Sequence, residues 1–291
     1  MNKFYWVTMI LLLNAINLVF GQIKNNGFTS QFAKQVNSID DFFERFNFEK
    51  NAPFRQFFDK ENPNIAYNRT DFLAILFNSN STQWSPINVE QFIKQVADSI
   101  NPVYLNYNDH HWYAEITCKV TVLSKIKDLK LVLMVEQAAN KGYSWNIVAA
   151  DGVFLKFKNT PADSIISANL KENKLPNVTN KKKFFLTPVS HGIDFTNLEN
   201  VFINKQNIDD YIQTKQKSFE LAKLIDLIKN SKIVFNQITN IRYHLLQIDG
   251  WIIKIDYFSR KSDNSGWLIN DLLLATKEEK KLYLLKQLNI I

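Results

Sequence analysis

The chain has 291 residues, a formal net charge of +7 and 46% hydrophobic residues. This composition excludes an intrinsically disordered protein, because disordered chains contain too few apolar residues to build a core. The length exceeds what one core usually needs and predicts two domains. Acidic and basic residues are interleaved along the chain, so the net charge gives little indication of partners.

The N-terminus has the pattern of a cleavable signal peptide over residues 1–21. Lys3 supplies the positive start, an apolar run extends to Phe20, and Gly21 places a small residue before Gln22. The run is shorter than the roughly 20 residues that a membrane span prefers, although an uncleaved anchor is the alternative. With no cysteine near the cleavage point, we expect an exported protein, periplasmic or extracellular, that is not a lipoprotein and has no transmembrane segment in its mature chain.

Residues 28–100 show helical spacing of apolar side chains. The clearest stripe recurs at i, i+3, i+4, i+7 and i+11 and consists of Val89, Phe92, Ile93, Val96 and Ile100. Asn88 with Gln91 three residues later resembles a capping box and predicts the helix start there. Pro102 predicts its end.

After Val103 the apolar period changes to two. The segments "HHWYAEITCKVTV", "LKLVLMVEQ" and "YSWNIVAADG" therefore read as three antiparallel strands. Cys118, the single cysteine, excludes an internal disulfide, and it falls on the apolar side of the first of these segments. This position predicts a buried, unreactive thiol.

The second half follows the same order. Thr196 with Glu199 resembles a capping box, and a helical stripe of leucines and isoleucines follows it. Three strands are then predicted, in "SKIVFNQITNIRYHLLQI", "WIIKIDYFSR" and "WLINDLLLA", the first two joined by a tight turn at Asp249 and Gly250. Thr276 with Glu279 predicts the start of a terminal helix that docks on its own domain.

Trp145 and Trp267 stand at the same place in the last strand of each half, which suggests that the two halves are copies of one module. We therefore predict the fold class α+β, with two tandem modules in each of which N-terminal helices pack on one face of an antiparallel sheet. The predicted divisions are a signal peptide at 1–21, a first module at 22–157, a linker at 158–193 and a second module at 194–291.

Helices followed by a curved antiparallel sheet with a Trp-x-Ile strand near its end resemble the nuclear transport factor 2-like, cystatin-like cone fold. The resemblance covers residues 28–157 and, less completely, 194–275. The segments "IDDFFERFNFE" and "RKSDNSGWLIND" also look like segments of uncharacterised two-domain exported proteins of Gram-negative bacteria. The resemblance implies a pocket between sheet and helices, used by some relatives for isomerase or dehydratase chemistry and by many for binding alone.

Three residues are candidates for catalysis. His110 shares the face of Trp112 in the predicted strand and would act as a general base, with Asp109 or Glu115 adjusting its pKa. His244 is a comparable candidate, and Glu136 would project into a cavity from a second strand. The competing interpretation makes each histidine a solvated or hydrogen-bonded strand residue.

A metal site is not expected, because His110 and His111 are adjacent and would point to opposite faces of a regular strand. No cofactor is expected either, since the 7 glycines include no phosphate-binding loop. Aromatic residues on the strands are candidates for holding a flat ligand, and core packing is the alternative. They are Tyr104, Trp112, Tyr113, Trp251 and Tyr257.

These observations favour non-catalytic binding of a small ligand or protein partner in the cell envelope. An isomerase-like or dehydratase-like enzyme with a histidine base and an envelope assembly protein that docks through sheet edges are the alternatives. No nucleic-acid partner is expected, because no aromatic residues accompany the basic runs.

Overall fold

The computed structural model describes residues 34–61, 63–64, 67–137, 142–156, 161–171, 184–213, 218–261 and 264–290. The predicted signal peptide lies outside these residues. Among them, no helix combines the length and the apolar character needed to cross a membrane.

The protein is α+β, as expected, with a mixed sheet of seven strands in the described part of the chain. The strands are β1 (Gln35–Val36), β2 (Trp112–Val122), β3 (Lys125–Gln137), β4 (Tyr143–Asp151), β5 (Ile233–Leu245), β6 (Trp251–Phe258) and β7 (Ser265–Leu274). Their order in the sheet is β1-β7-β6-β5-β2-β3-β4. The β1–β7 pair is parallel, whereas β2 pairs antiparallel with both β3 and β5.

The helices precede, separate and follow the strands. They are α1 (Ile39–Asn47), α2 (Pro53–Glu61), α3 (Arg69–Ile75), α4 (Pro86–Val96), α5 (Val153–Lys156), α6 (Pro161–Lys171), α7 (Glu199–Ile203), α8 (Phe219–Lys229) and α9 (Lys277–Gln287). Within the described residues, 3-10 helices lie at Pro188–Ile193, Thr196–Leu198 and Lys205–Tyr211.

The chain divides into two compact units that differ from the predicted modules. The first consists of Met1–Leu105 with Ile255–Leu273, and the second of Asn106–Lys254 with Leu274–Ile291. The expected division at 158–193 would place β2 and β5 in separate modules. Instead, they pair antiparallel from Trp112 opposite Leu245 to Val122 opposite Ile233, and both belong mainly to the second unit. Two separate tandem modules are therefore not confirmed.

The first unit contains a phenylalanine-rich helical core. One cluster is formed by Ala52, Phe54, Phe58, Phe72 and Ile75, all buried. Arg45 is also fully buried; it pairs with Asp41 at 2.6 Å and donates a hydrogen bond to the Gln35 carbonyl oxygen. This contact ties α1 to β1. Burial of the aromatic rings accounts for the helical stripes that the sequence shows.

The second unit is built on the antiparallel strands β2 to β5. The predicted alternation in β2 is confirmed: its even-numbered residues from Trp112 to Val122 are all buried. Cys118 is buried among them, and burial raises the pKa of its thiol to about 12. The predicted burial of this cysteine is thereby confirmed.

Several element boundaries differ from expectation because a better cap lies nearby. Helix α4 starts at Pro86, where the Ser85 side chain accepts a hydrogen bond from the Asn88 backbone, and ends at Val96, which leaves Ile100 exposed. Thr196 does not cap an α-helix; it begins a short 3-10 helix without a side-chain cap. The capping box of Thr276 and Glu279 at the start of α9 is confirmed.

Candidate functional site

The buried histidine His244 lies at the centre of a titratable group in the second unit. Its Nδ1 atom is 2.7 Å from the Tyr283 hydroxyl of α9, and its Nε2 atom is 3.8 Å from Oε2 of Glu115. Lys130 Nζ approaches the same Glu115 oxygen at 3.3 Å. Strand pairing explains this grouping, because His244 stands opposite Tyr113 and Glu115 opposite Arg242 in the β2–β5 ladder.

Burial, together with the positive charges of Arg242, Lys254 and Lys130, lowers the pKa of His244 to about 3. The imidazole is therefore neutral at neutral pH. The tautomer that places a proton on Nε2 points it at Glu115 and lets Tyr283 donate to Nδ1. Nε2 has no hydrogen-bond partner in the structure.

This group can hold a proton between an imidazole, a phenol and a carboxylate, as acid–base chemistry requires. However, only 3% of the His244 side chain is exposed. A substrate would reach it only if α9 moved. In the described state the arrangement fixes the terminal helix to the sheet.

Glu136 lies apart from His244, and side-chain amides donate hydrogen bonds to its carboxylate. Its two carboxylate oxygens accept hydrogen bonds from Asn146 Nδ2 at 2.9 Å and from Gln213 Nε2 at 2.7 Å. Asn146 also contacts the Ser144 hydroxyl at 3.3 Å. These contacts pin the β3–β4 pair to the chain before α8, a structural role for the predicted acid.

The five predicted ligand-binding aromatics are not brought together. Trp112, Tyr113 and Trp251 are buried, and burial raises the pKa of Tyr113 to about 12. Tyr104 and Tyr257 are about half exposed. The Arg69 guanidinium lies 4.4 Å from the Tyr104 ring centre, and Tyr257 packs against Trp267 at 5.4 Å.

Sequence reasoning missed His191, which joins a buried aromatic cluster. The Trp145 indole donates to His191 Nδ1 at 3.3 Å, and the Tyr107 ring stacks on the imidazole at 5.8 Å. Trp112 meets Trp145 edge to face at 4.7 Å. The short segment "PVSHG" has no periodic pattern that would place His191 here, so only tertiary packing reveals the cluster.

His110 is not a strand residue. Strand β2 begins at Trp112, and His110 and His111 form an exposed turn before it. The two imidazole rings lie 3.9 Å apart. The expectation that the histidines point to opposite sides of a strand is therefore wrong, and the argument against a shared metal ion loses its basis.

The turn between β2 and β3 carries exposed aliphatic side chains. Leu123 and Ser124 have φ angles of 49° and 61°, the left-handed pair of a two-residue hairpin turn that normally favours asparagine and glycine. Leu123 is 81% exposed, Ile126 is 67% exposed, and Val234 on β5 is 60% exposed. Ile126 and Val234 both stand opposite Thr121 and so share one face of three neighbouring strands.

Lys125 and Lys127 flank Ile126 along β3 on the opposite face of the strand, and Lys232 lies two residues before Val234. Lys125, Lys127 and Lys232 are exposed, and in the described part of the chain they form no ion pair. The nearest acid on β3, Asp128, pairs with Lys119 at 2.6 Å. We name this surface the hairpin tip, defined by Leu123, Ile126, Val234, Lys125, Lys127 and Lys232.

A shallow cleft also lies in the second unit. It has a volume of about 190 Å³ and is lined by Ala150, Asp151, Lys156, Ser218, Glu220, Leu285 and Asn289. Asp151 and Lys156 pair with each other at 2.9 Å within it. The cleft is smaller than typical ligand pockets of about 300–1,000 Å³, and none of the predicted ligand-binding residues lines it.

No protein-family model, no curated protein and no solved structure matches this chain.

Proposed function

We propose that the chain is an exported, non-catalytic binding protein of the cell envelope that docks on an anionic lipid surface through the hairpin tip. The observation that carries the proposal is the exposure of Leu123, Ile126 and Val234 near three lysines that form no ion pair with any described residue. Exposed aliphatic side chains grouped in this way mark interaction surfaces.

The chemistry of the hairpin tip favours lipid as the partner. Each aliphatic side chain gains about 1.5–3 kcal/mol when it moves fully from water into an apolar phase. Each lysine near an anionic lipid surface contributes about 1 kcal/mol. A hairpin tip that carries both aliphatic side chains and ammonium groups therefore complements a bilayer with negative headgroups.

The backbone of the turn supports the same conclusion. A leucine in the left-handed region costs about 1–2 kcal/mol relative to its ordinary conformations. Asparagine fits the same conformation more easily and leaves no apolar side chain in water. A leucine at this position is best explained by a contact that its side chain makes when the protein is bound.

Vesicle cosedimentation tests the proposal. We expect the protein to sediment with vesicles of equal parts phosphatidylglycerol and phosphatidylcholine at low salt, and to be released as salt screens the lysines. Pure phosphatidylcholine vesicles should retain little protein. The double variant Leu123→Asn, Ile126→Thr should lower partitioning at least about tenfold, because the apolar insertion is lost.

The double variant is designed to keep the fold, since asparagine suits the left-handed turn and threonine suits a strand. Leu274→Asn is the matched control, because Leu274 is also exposed and lies outside the hairpin tip. Equal sedimentation of the wild type and the double variant, or none with anionic vesicles, would show that lipid is not the partner.

The isomerase-like alternative rests on the Tyr283–His244–Glu115 group. We prefer the binding function because the hairpin tip is exposed, whereas His244 is enclosed beneath α9. The localisation and the absence of a nucleic-acid partner remain proposals that rest on the sequence.

We also infer that β2–β4 and β5–β7 descend from one cone-like module. In the sheet order β7-β6-β5-β2-β3-β4, the first strands of the two sets, β5 and β2, are neighbours. The second and third strands of each set follow in order toward opposite sides of the sheet. Trp145 and Trp267 each stand third in the last strand of their set. The isoleucine two residues later forms a parallel bridge in both sets, Ile147 with Ile212 and Ile269 with Phe77. This agreement supports an ancient duplication.

A further inference from the structure

We propose that Asp109, His110 and His111 bind one divalent transition-metal ion. One ligand atom from each side chain can be chosen so that all three lie within 4.8 Å of one another. Two imidazoles with one carboxylate form a ligand set that suits Zn²⁺, Cu²⁺ or Ni²⁺. This site is independent of the hairpin tip.

Hydrogen bonding already orients one ligand. Asp109 Oδ1 lies 2.8 Å from His111 Nδ1 and accepts the His111 backbone N–H at 2.6 Å. A metal ion bound by Asp109 and by His111 Nδ1 replaces the proton that these two side chains share, and that proton is released to solvent.

The backbone that carries these side chains is held in place. Asp109 N–H donates to the Asn106 carbonyl at 3.2 Å, and the His111 carbonyl accepts from Leu246 N–H at 2.7 Å. The Trp112 indole donates to the Tyr107 carbonyl at 3.0 Å, anchoring the start of the turn. A fixed turn reduces the ordering entropy that metal binding costs.

The donor atoms lie close to the spacing that coordination requires. Zinc–ligand bonds of about 2.0–2.2 Å place tetrahedral ligand atoms about 3.5 Å apart. Both histidines are exposed, their ring centres are 3.9 Å apart, and one donor atom of each side chain already lies within 4.8 Å of the others. At least one coordination position then faces solvent and can accept water or a donor atom of a bound molecule.

Isothermal titration calorimetry of the tag-free protein with ZnCl₂ tests the site. We expect one ion per chain, with binding lost in His110→Ala and in His111→Ala. Asp109→Asn should weaken binding at least about tenfold, because a neutral amide replaces a carboxylate ligand. Electron paramagnetic resonance of the Cu²⁺ complex should show coupling to nitrogen that falls in each histidine variant.

Asp98→Asn is the matched control. Asp98 is an exposed aspartate whose carboxylate accepts the backbone N–H groups of Ile100 and Asn101 in a comparable turn, without neighbouring histidines. This variant should bind Zn²⁺ like the wild type. The proposal is overturned if the wild type takes up no Zn²⁺, or if both histidine variants titrate as the wild type does while circular dichroism shows an unchanged fold.

Discussion

At the scale of single residues, the environment of His244 decides its chemistry. Burial and three nearby cations keep the imidazole neutral, with its pKa lowered to about 3. The Glu115 carboxylate 3.8 Å away does not offset them, because it also pairs with Lys130. Tyr283 completes the group from α9. A histidine that looks like a general base in the sequence thus becomes a neutral anchor for a helix.

This state predicts a pH dependence of the free energy of unfolding. Below pH 6.5 the unfolded chain binds a proton at His244, whereas the folded chain does not until about pH 3. Acidification through this window therefore favours the unfolded state by about 1 kcal/mol per pH unit. We expect His244→Asn to reduce the slope of stability against pH between pH 6.5 and 4.5, as measured by guanidinium unfolding.

Tyr283→Phe provides the control for that measurement. It removes the hydroxyl that contacts Nδ1 but leaves the imidazole buried near the same cations. The variant should be less stable at every pH while keeping the wild-type slope. A His244→Asn profile parallel to the wild type would show that this histidine does not govern the acid sensitivity.

At the scale of elements, close backbone approach explains the start of β7. Gly266 has a φ of 89°, and a Cβ atom added there would lie 1.8 Å from the Val36 carbonyl oxygen of β1. Only glycine permits this parallel pairing of β1 with β7. The first two residues of β7, Ser265 and Gly266, therefore serve as the docking point for β1.

Two alanine variants separate conformational strain from steric conflict. Gly266→Ala should lower the free energy of unfolding by about 3 kcal/mol, because a strained backbone and a collision with Val36 add together. Gly250→Ala has a similar φ of 82° but meets nothing within 4 Å, so we expect a loss of about 1 kcal/mol. Equal losses in chemical denaturation would contradict the close contact.

Motifs that involve residues close in sequence correctly predict two of the helices. Thr276 and Glu279 form the predicted capping box, and the stripe on α4 packs as expected from Val89 to Val96. The same motif at Thr196 fails, because the chain there turns as a short 3-10 helix. The α-helix of this segment, α7, begins only at Glu199, and Leu198 precedes it without a side-chain cap.

At the scale of the whole molecule, the accessibility of the Cys118 thiol measures whether the second unit is folded. It lies in β2 between Leu129 of β3 and Ile238 of β5, and its thiol is fully buried with a pKa of about 12. The thiolate is the reactive form of a cysteine. While the strands are paired, burial disfavours the thiolate and keeps the reagent away from the sulfur atom.

We therefore expect a thiol reagent to label Cys118 at least about a thousandfold more slowly in native buffer than in denaturant. The labelled fraction should rise with guanidinium concentration together with the loss of strand signal in circular dichroism. Complete labelling of the native protein within minutes would mean that β2 opens locally, without unfolding of the unit.

The sequence by itself determined the α+β class, the alternation that buries one face of β2, the terminal helix cap and the inert cysteine, because each depends on residues a few positions apart. Only the tertiary structure decided that β2 pairs with β5, that Tyr283 meets His244, and that His110 and His111 share a turn with Asp109. These contacts join distant segments or depend on where a strand begins. Many pairings of similar apolar strands satisfy the same local pattern, and packing of the complete chain selects one of them.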